Sequence, residues 1–239
     1  MGLPNNYSLD IPNRCLDLLN SLLPEVLRNS EQMQRHQGAL TTTLTLALAT
    51  PMLSLPIERI EKQLDLGTEE GYADDRHLDP GSARRVEEAI RGKRLRDYPE
   101  FASLGWRFVQ AVPKFNIARG LPELVANQLA DMKANTDAME MEFQLFLRCL
   151  RNALSHGGII YLNEDGRTTG NEAKMLCFVS ARLDRTKQIC DRRDGPCPTH
   201  QPKIKDMRLL RIDEKSFQGF LQCWVSWLND QDLQNLTVA

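Results

Sequence analysis

Apolar residues in the first part of the chain recur at intervals of three and four, which is the spacing of an amphipathic helix. One such pattern covers residues 13–35 and is interrupted by Pro24. We expect a kink there, or a helix that restarts with Pro24 in its first turn. A second pattern covers residues 40–64 and contains Pro51 and Pro56. It predicts a buried helix that is bent or broken near Pro51.

The middle of the chain is less regular. Residues 65–82 are rich in Gly and Asp, which predicts a polar loop. A charged helix is expected from Ser82, because a serine cap precedes acidic residues there. Residues 97–120 mix aromatic residues, prolines and glycine, so we expect an irregular insertion between helices.

The strongest helical pattern runs from about Leu121 to Ser155. Pro122 suits the first turn of a helix, and Gly157 and Gly158 suit the residues that follow its end. An apolar stripe lies along the second half of this segment and consists of Met139, Phe143, Phe146, Leu147, Leu150 and Leu154. The sequence therefore predicts one long helix that ends at the two glycines.

Beyond the two glycines the periodicity changes from helical to extended. The segments GIIYLNEDG, KMLCFVSAR and MRLLRID are short, rich in β-forming residues and separated by turn residues, so we expect two or three antiparallel strands. A last helix is predicted over residues 213–230. The predicted fold class is mainly α: a helical bundle with a small antiparallel sheet of two or three strands near the C-terminus, in a single domain over residues 1–239.

Net charge, cysteine content and hydropathy limit the kinds of protein that this chain can be. The net charge is −2, so any binding of nucleic acid has to come from a local basic surface. Six cysteines are scattered without a CxxC pair, which is typical of free thiols in a reducing compartment. No segment has the pattern of a secretory signal or a membrane span. We therefore expect a cytoplasmic protein without a membrane partner.

Candidate chemistry is concentrated in residues 151–156. The common signatures of P-loops, dinucleotide-binding folds, zinc proteases and serine hydrolases are absent, and no cofactor or catalytic metal is predicted. Asn152 and His156 are four apart and share a helix face, whereas Arg151 and His156 are separated by about 140° around the axis. One ideal helix does not direct that Arg and that His at one point, but a second copy related by a two-fold axis could supply the missing partner.

An Arg and a His in one cleft suit a specific reaction. Imidazole exchanges protons near neutral pH, and a guanidinium binds phosphate oxygens while keeping its charge. Together they fit the attack of an RNA 2′-hydroxyl on its own phosphodiester. The alternative is purely structural, with Arg151 paired to an acid, Asn152 capping a neighbouring element and His156 bonded to a carbonyl at the helix end.

The stretch FLRCLRNALSHG resembles the HEPN superfamily, which is characterised by an Arg, four to six residues and a His, often with Asn directly after the Arg. Arg151, Asn152 and His156 match this motif. The resemblance extends to the TTLTLALATPMLSLPIERI helix and the strands after the motif, as in a prokaryotic, plasmid-borne branch of the family. It implies a helical bundle, a homodimer joined at the motif face and metal-independent endoribonuclease activity, with Arg151, His156 and Asn152 as the catalytic residues.

The same resemblance leaves the role of the protein open. Some HEPN proteins are toxins that a partner protein neutralises, which makes an antitoxin a candidate partner beside RNA. Others are inactive and act as interaction or nucleotide-binding modules, which is the alternative function here.

A basic segment near the C-terminus is a second candidate feature. Residues 182–211 contain nine Lys or Arg and four Asp. The candidate RNA-binding residues are Arg182, Arg185, Lys187, Arg192 and Arg193. A solvated loop is the other interpretation. In the same segment Cys190, Cys197 and His200 could bind zinc, although the spacing is unlike a standard zinc knuckle, and Cys190 and Cys197 could instead be redox-active.

Overall fold

The structure, a computed structural model, describes residues 7–64, 80–184 and 203–231. The helices of this part of the chain are α1 (Tyr7–Arg28), α2 (Ser30–His36), α3 (Thr41–Leu64), α4 (Pro80–Ile90), α5 (Pro99–Ala102), α6 (Glu123–Ala130), α7 (Met132–Met139), α8 (Phe143–Ser155) and α9 (Glu214–Asp230). The strands are β1 (Arg107–Val112), β2 (Ile159–Leu162), β3 (Met175–Leu183) and β4 (Ile204–Asp213). Short 3₁₀ turns lie at Leu95–Asp97 and Ile117–Arg119.

The four strands form one antiparallel sheet in the order β1-β4-β3-β2. Successive residues of a strand point to opposite faces, and here each face has its own apolar core. Leu176 and Phe178 of β3 belong to the larger core, which includes buried residues of α3, α8 and α9. Cys177 and Val179 belong to the smaller core, which α6 covers. The sheet is therefore buried between helices on both sides.

The predicted fold class is wrong. Instead of a helical bundle with two or three strands near the C-terminus, the chain has an α/β fold with a four-stranded sheet. The additional strand, β1, lies in the segment 97–120 that was expected to be irregular. Its alternation is obscured by a break in register between Val109 and Val112 and by Ala111, which has a φ of 58°. Its pairing with β4, about a hundred residues further along the chain, leaves no local trace in the sequence.

The prolines of the first helices do not break them. Helix α1 runs through Pro24, and the break comes at Asn29, whose side chain accepts a hydrogen bond from the Gln32 N–H at 3.0 Å and so caps α2. Helix α3 continues through Pro51 and Pro56 to Leu64. The chain therefore neither restarts a helix at Pro24 nor breaks one near Pro51, and the alternative of a kink or bend at these prolines stays a prediction.

The single long helix predicted from Leu121 to Ser155 is also wrong, because three helices occupy this segment. Asp131 has an extended backbone and its carboxylate accepts the Lys133 N–H at 2.7 Å, so it ends α6 and caps α7. Residues 140–142 then separate α7 from α8. Asp prefers the N-cap position to the helix interior, and that local preference outweighs the continuous apolar stripe.

The elements after the two glycines are confirmed. All three predicted strands occur, as β2, β3 and β4, and α9 begins after Asp213, which caps it by accepting the Ser216 N–H at 2.8 Å. The described part of the charged helix α4, Pro80–Ile90, includes the expected Ser82, while most of the predicted loop at 65–82 lies outside the described residues. Over the described part of the chain, no single helix has both the length and the hydropathy of a membrane span; α2 and the start of α3, which meet at 93°, pass that test only as a pair.

Candidate functional site

The candidate motif lies at the C-terminal end of α8, where local sequence determines the geometry. Apolar residues of α8 face the larger core, so Arg148, Arg151 and Asn152 lie outside its buried stripe. His156 follows the last helical residue, and its N–H donates to the Asn152 carbonyl at 3.1 Å. Gly157 then adopts a φ of 66°, which favours glycine and ends the helix.

Gly158 has a separate, steric role. A Cβ atom at this position would lie 2.3 Å from the backbone oxygen of Val179, so only glycine fits. Its own carbonyl accepts the Val179 N–H at 2.7 Å, and this bond leads into the pairing of β2 with β3. The two glycines therefore end α8 and hold the motif against the sheet.

The arginines of α8 share one carboxylate. Arg151 donates to Oε2 of Glu61 on α3, and Arg148 donates through Nε to Oε1 of the same residue at 2.9 Å. The exposed fraction is 15% for the Glu61 side chain, 29% for Arg151 and 48% for Arg148. Two positive charges meet one negative charge, so the cluster keeps a net positive charge at a partly exposed position.

Asn152 and His156 have different surroundings. The Asn152 side-chain amide donates to Ser180 Oγ on β3 at 3.3 Å, which fixes the amide against the sheet. His156 is exposed to solvent, and within the described part of the chain no hydrogen bond or ion pair of its imidazole is found. Arg151 is directed toward α3, and among the hydrogen bonds of the described residues none joins it to His156. The structure thus places the three predicted catalytic residues at one helix end without joining Arg151 to His156.

A basic surface continues from the motif onto the sheet. Ser180 faces Arg208 across the β3–β4 pair, and Arg182 faces Asp206 two residues further along. We define the basic surface as Arg148, Arg151, Arg182, Lys205 and Arg208. The carboxylates bonded to it are Glu61 and Asp206, so three of its five positive charges are left uncompensated.

Arg182 is the one predicted RNA-binding residue that the structure describes. Its Nε donates to both oxygens of Asp206, at 2.9 and 3.1 Å, and this pairing lowers the pKa of the Asp206 carboxyl. These hydrogen bonds orient the Arg182 guanidinium at the outer end of the basic surface. Arg185, Lys187, Arg192 and Arg193 lie outside the described residues, as do Cys190, Cys197 and His200.

Cys149 is close to the site but is not a candidate nucleophile. Burial raises the pKa of its thiol to about 11, although Arg208, Ser180 and Arg148 act in the opposite direction. A thiol with this pKa stays protonated near neutral pH, and the thiolate is the reactive form. Over residues 7–64, 80–184 and 203–231, no group of three or more His, Cys, Asp or Glu side chains is placed to hold a metal ion.

Several residues of the site were missed by sequence reasoning. Arg148 lies one helical turn before Arg151, so the i,i+3 spacing could have identified it. Glu61, Ser180 and Arg208 belong to other elements, and nothing local in the sequence connects them to the motif.

Comparison with known proteins adds no relative: no family model, curated protein or solved structure matches this chain.

Proposed function

We propose that this chain is a HEPN-type endoribonuclease that cuts RNA without a metal ion, acts in the cytoplasm and forms its active site between two copies of the chain. The observation that carries the proposal is the exposed His156 beside a basic surface with uncompensated positive charge. An imidazole open to solvent can exchange protons, and the adjacent guanidiniums suit a phosphodiester.

The proposed reaction takes His156 from one copy of the chain and Arg151 from the other. His156 accepts the proton of a ribose 2′-hydroxyl while the hydroxyl oxygen attacks the adjacent phosphorus. The P–O bond to the 5′-oxygen breaks, that leaving oxygen takes a proton from solvent water, and His156 then returns its proton to solvent. The products are a 2′,3′-cyclic phosphate and a free 5′-hydroxyl. Arg151 stabilises the negative charge that builds up on the phosphoryl oxygens.

The remaining residues position the substrate. Asn152 is fixed on Ser180, so its carbonyl and amide lie at the helix end next to His156. The rest of the basic surface extends along the β3–β4 pair, and an RNA backbone that follows it would pass Arg208 and reach Arg182. Growth arrest on expression, relieved by an antitoxin, is the biological role that the HEPN resemblance suggests.

A second candidate function is a non-catalytic HEPN interaction or nucleotide-binding module. The ion pair of Arg151 with Glu61 favours it, because a guanidinium already bound to a carboxylate is less available to a transition state. In this alternative the basic surface binds a nucleotide or a protein without turnover.

Cleavage of RNA in EDTA distinguishes these functions. We expect wild-type protein to produce 2′,3′-cyclic phosphate ends, and we expect His156→Ala to lower the rate at least about 100-fold, the usual contribution of a general acid or base. His36→Ala is the matched control, since His36 is also exposed and lies at the end of α2. Thermal unfolding verifies that both variants fold.

Equal cutting by His156→Ala and wild type would rule out the proposed reaction. Tight nucleotide binding without any cleavage would instead support the module. Growth arrest that depends on His156 would add support for a toxin.

A further inference from the structure

Arg211 is a buried cation on the face of the sheet opposite the basic surface. It belongs to β4, and only 7% of its surface is exposed. Its neighbours across the sheet are Arg107 on β1 and Cys177 on β3. Directly opposed residues of antiparallel strands point to the same face, so Arg107, Arg211 and Cys177 lie together on the side of the smaller core.

The positive charge of Arg211 has no compensating group among the described residues. No hydrogen bond or ion pair of its guanidinium is found there, in contrast to Arg182 on the other face of the sheet, which binds Asp206. The groups that act on it electrostatically are the positive Arg107 and the Cys177 thiol, which burial keeps protonated by raising its pKa to about 12. Burial and Arg107 both lower the pKa of Arg211.

Two like charges facing each other across a sheet are destabilising, and a buried charge without a partner costs several kcal/mol. Water can satisfy the hydrogen-bond donors of a guanidinium, but it does not neutralise the charge. A bound anion does both. This difference is what favours an anion over water at Arg211.

The guanidinium of Arg211 keeps some contact with solvent. Its nitrogens have no hydrogen bond to the described residues, yet none of them is fully closed off from solvent. One of its terminal nitrogens lies over Gly166 of the turn after β2, where a Cβ atom would be 2.4 Å away. The backbone of the turn therefore packs against this nitrogen, and the anion binds at the other nitrogens of the guanidinium.

Arg107 is fixed in place at the same position. Its Nη1 donates to the carbonyls of Ala130 and Asp131 at the end of α6, at 3.0 and 2.7 Å. The other nitrogens of this guanidinium have no such bonds to described residues and can donate to a ligand. The Asp131 carboxylate is itself engaged, since it caps α7 by accepting the Lys133 N–H.

We propose that Arg211 and Arg107 form a binding site for a small oxyanion, a phosphate or carboxylate group, on the face of the sheet opposite the basic surface. The site is independent of the proposed nuclease centre, because alternation along β4 directs Arg208 to one face and Arg211 to the other. The anion is held between the two guanidiniums and neutralises a charge that the smaller core leaves unpaired. A free phosphate and the phosphate of a larger ligand share this chemistry.

Unfolding in phosphate tests the site. The midpoint of thermal unfolding is measured for wild type and Arg211→Met in sodium phosphate and in sodium chloride at equal ionic strength and pH. With phosphate at about ten times its dissociation constant, the wild-type midpoint should rise by about 3–6 °C. Arg211→Met should show no rise, and in chloride its midpoint should equal or exceed that of wild type, because a buried charge is replaced by an apolar side chain of similar length.

Arg208→Met separates this site from the basic surface. It should keep the phosphate response of wild type, since Arg208 lies on the other face of the same strand. A response that survives in Arg211→Met, or that is lost in Arg208→Met instead, overturns the proposal. If Arg211→Met does not fold, calorimetric titration of wild type and Arg107→Met with inorganic phosphate decides. Saturable binding that is at least about tenfold weaker in Arg107→Met supports the site; equal affinity in both proteins, or no binding to wild type, overturns it. None of these outcomes depends on RNA cleavage.

Discussion

Glu61 controls how much positive charge the candidate motif presents. One carboxylate accepts hydrogen bonds from both Arg148 and Arg151, and it is the least exposed of the three side chains. It orients the two guanidiniums and at the same time offsets part of their charge. Its removal should therefore affect stability and anion binding in opposite directions.

We predict that Glu61→Gln binds RNA about twofold to fivefold more tightly than wild type, as expected when a half-exposed ion pair worth about 0.5–1 kcal/mol no longer competes with the ligand. The free energy of unfolding should fall by about 1 kcal/mol, because the partly buried Arg151 loses its charged partner. Fluorescence anisotropy with a 2′-O-methyl RNA, which lacks the attacking hydroxyl, measures the affinity without cleavage.

The matched control is Glu58→Gln. Glu58 is exposed on the same helix, and this substitution removes the same negative charge. If Glu58→Gln tightens RNA binding as much as Glu61→Gln, the gain reflects net charge alone and the role assigned to Glu61 is wrong.

At the scale of residues, the sequence predicted that the motif lies at a helix end, but it did not predict which residues bond to the motif. The helix end at Ser155 and the turn at Gly157 follow from local preferences, which act within a few residues. Glu61 lies 90 residues before Arg151, and Ser180 lies 28 residues after Asn152. Such contacts depend on how α3 and β3 pack against α8, which periodicity does not reveal.

At the scale of elements, Pro56 shows how a buried helix tolerates proline. In α3 the N–H of residue 56 would normally donate to the carbonyl of Met52, four residues earlier, but proline has no N–H. The indole N–H of Trp224 on α9 donates to that carbonyl instead, at 2.9 Å. The helix therefore continues through Pro56, and the hydrogen bond joins α3 to α9 inside the larger core.

We predict that Trp224→Phe lowers the free energy of unfolding by about 1–2 kcal/mol more than Trp227→Phe, because only the first change leaves a buried carbonyl without a donor. Trp227 is a close control: it is also buried on α9, stacks on Trp224 and has an indole N–H to which none of the described residues offers an acceptor. Urea unfolding measures both changes.

Pro56→Ala tests the same explanation from the other side. In the Trp224→Phe background the new N–H of residue 56 can donate to the Met52 carbonyl, so we expect it to recover part of the lost stability. The explanation is wrong if Trp224→Phe and Trp227→Phe lower the free energy of unfolding equally and Pro56→Ala recovers none of it. The Met52 carbonyl would then have another donor.

The elements that sequence reasoning missed have two different causes. Among the described residues, strand β1 pairs with β4, about a hundred residues away, and a break in register hides its alternation. The cap at Asp131 is local, and it divides a segment whose apolar stripe predicted a single helix. Periodicity therefore missed a long-range pairing in the first case and a preference of a single residue in the second.

At the scale of the whole molecule, the sheet separates two candidate sites. The basic surface and the motif lie on the side of α3 and α8, and Arg211 with Arg107 lies on the side covered by α6. The local elements near the C-terminus were predictable, but the fold class was not, since it depends on long-range pairing of β1 with β4. That the chain forms one domain stays a prediction.

The proposed nuclease depends on a second copy of the chain. Within one chain Arg151 is bound to Glu61 on α3, and His156 is exposed at the end of α8 without contacting it. A two-fold axis near the end of α8 would bring Arg151 of one copy to His156 of the other, which is the isologous arrangement common in dimers.

Mixing two inactive variants tests this arrangement most directly. Arg151→Ala and His156→Ala are purified separately, unfolded, combined in equal amounts and refolded, and RNA cleavage in EDTA is measured. If each active site takes Arg151 from one copy and His156 from the other, half of the dimers are mixed and each has one intact site, so about a quarter of the wild-type rate should return. A mixture that stays as inactive as the separate variants, while wild type treated in the same way regains its activity, would contradict a shared active site.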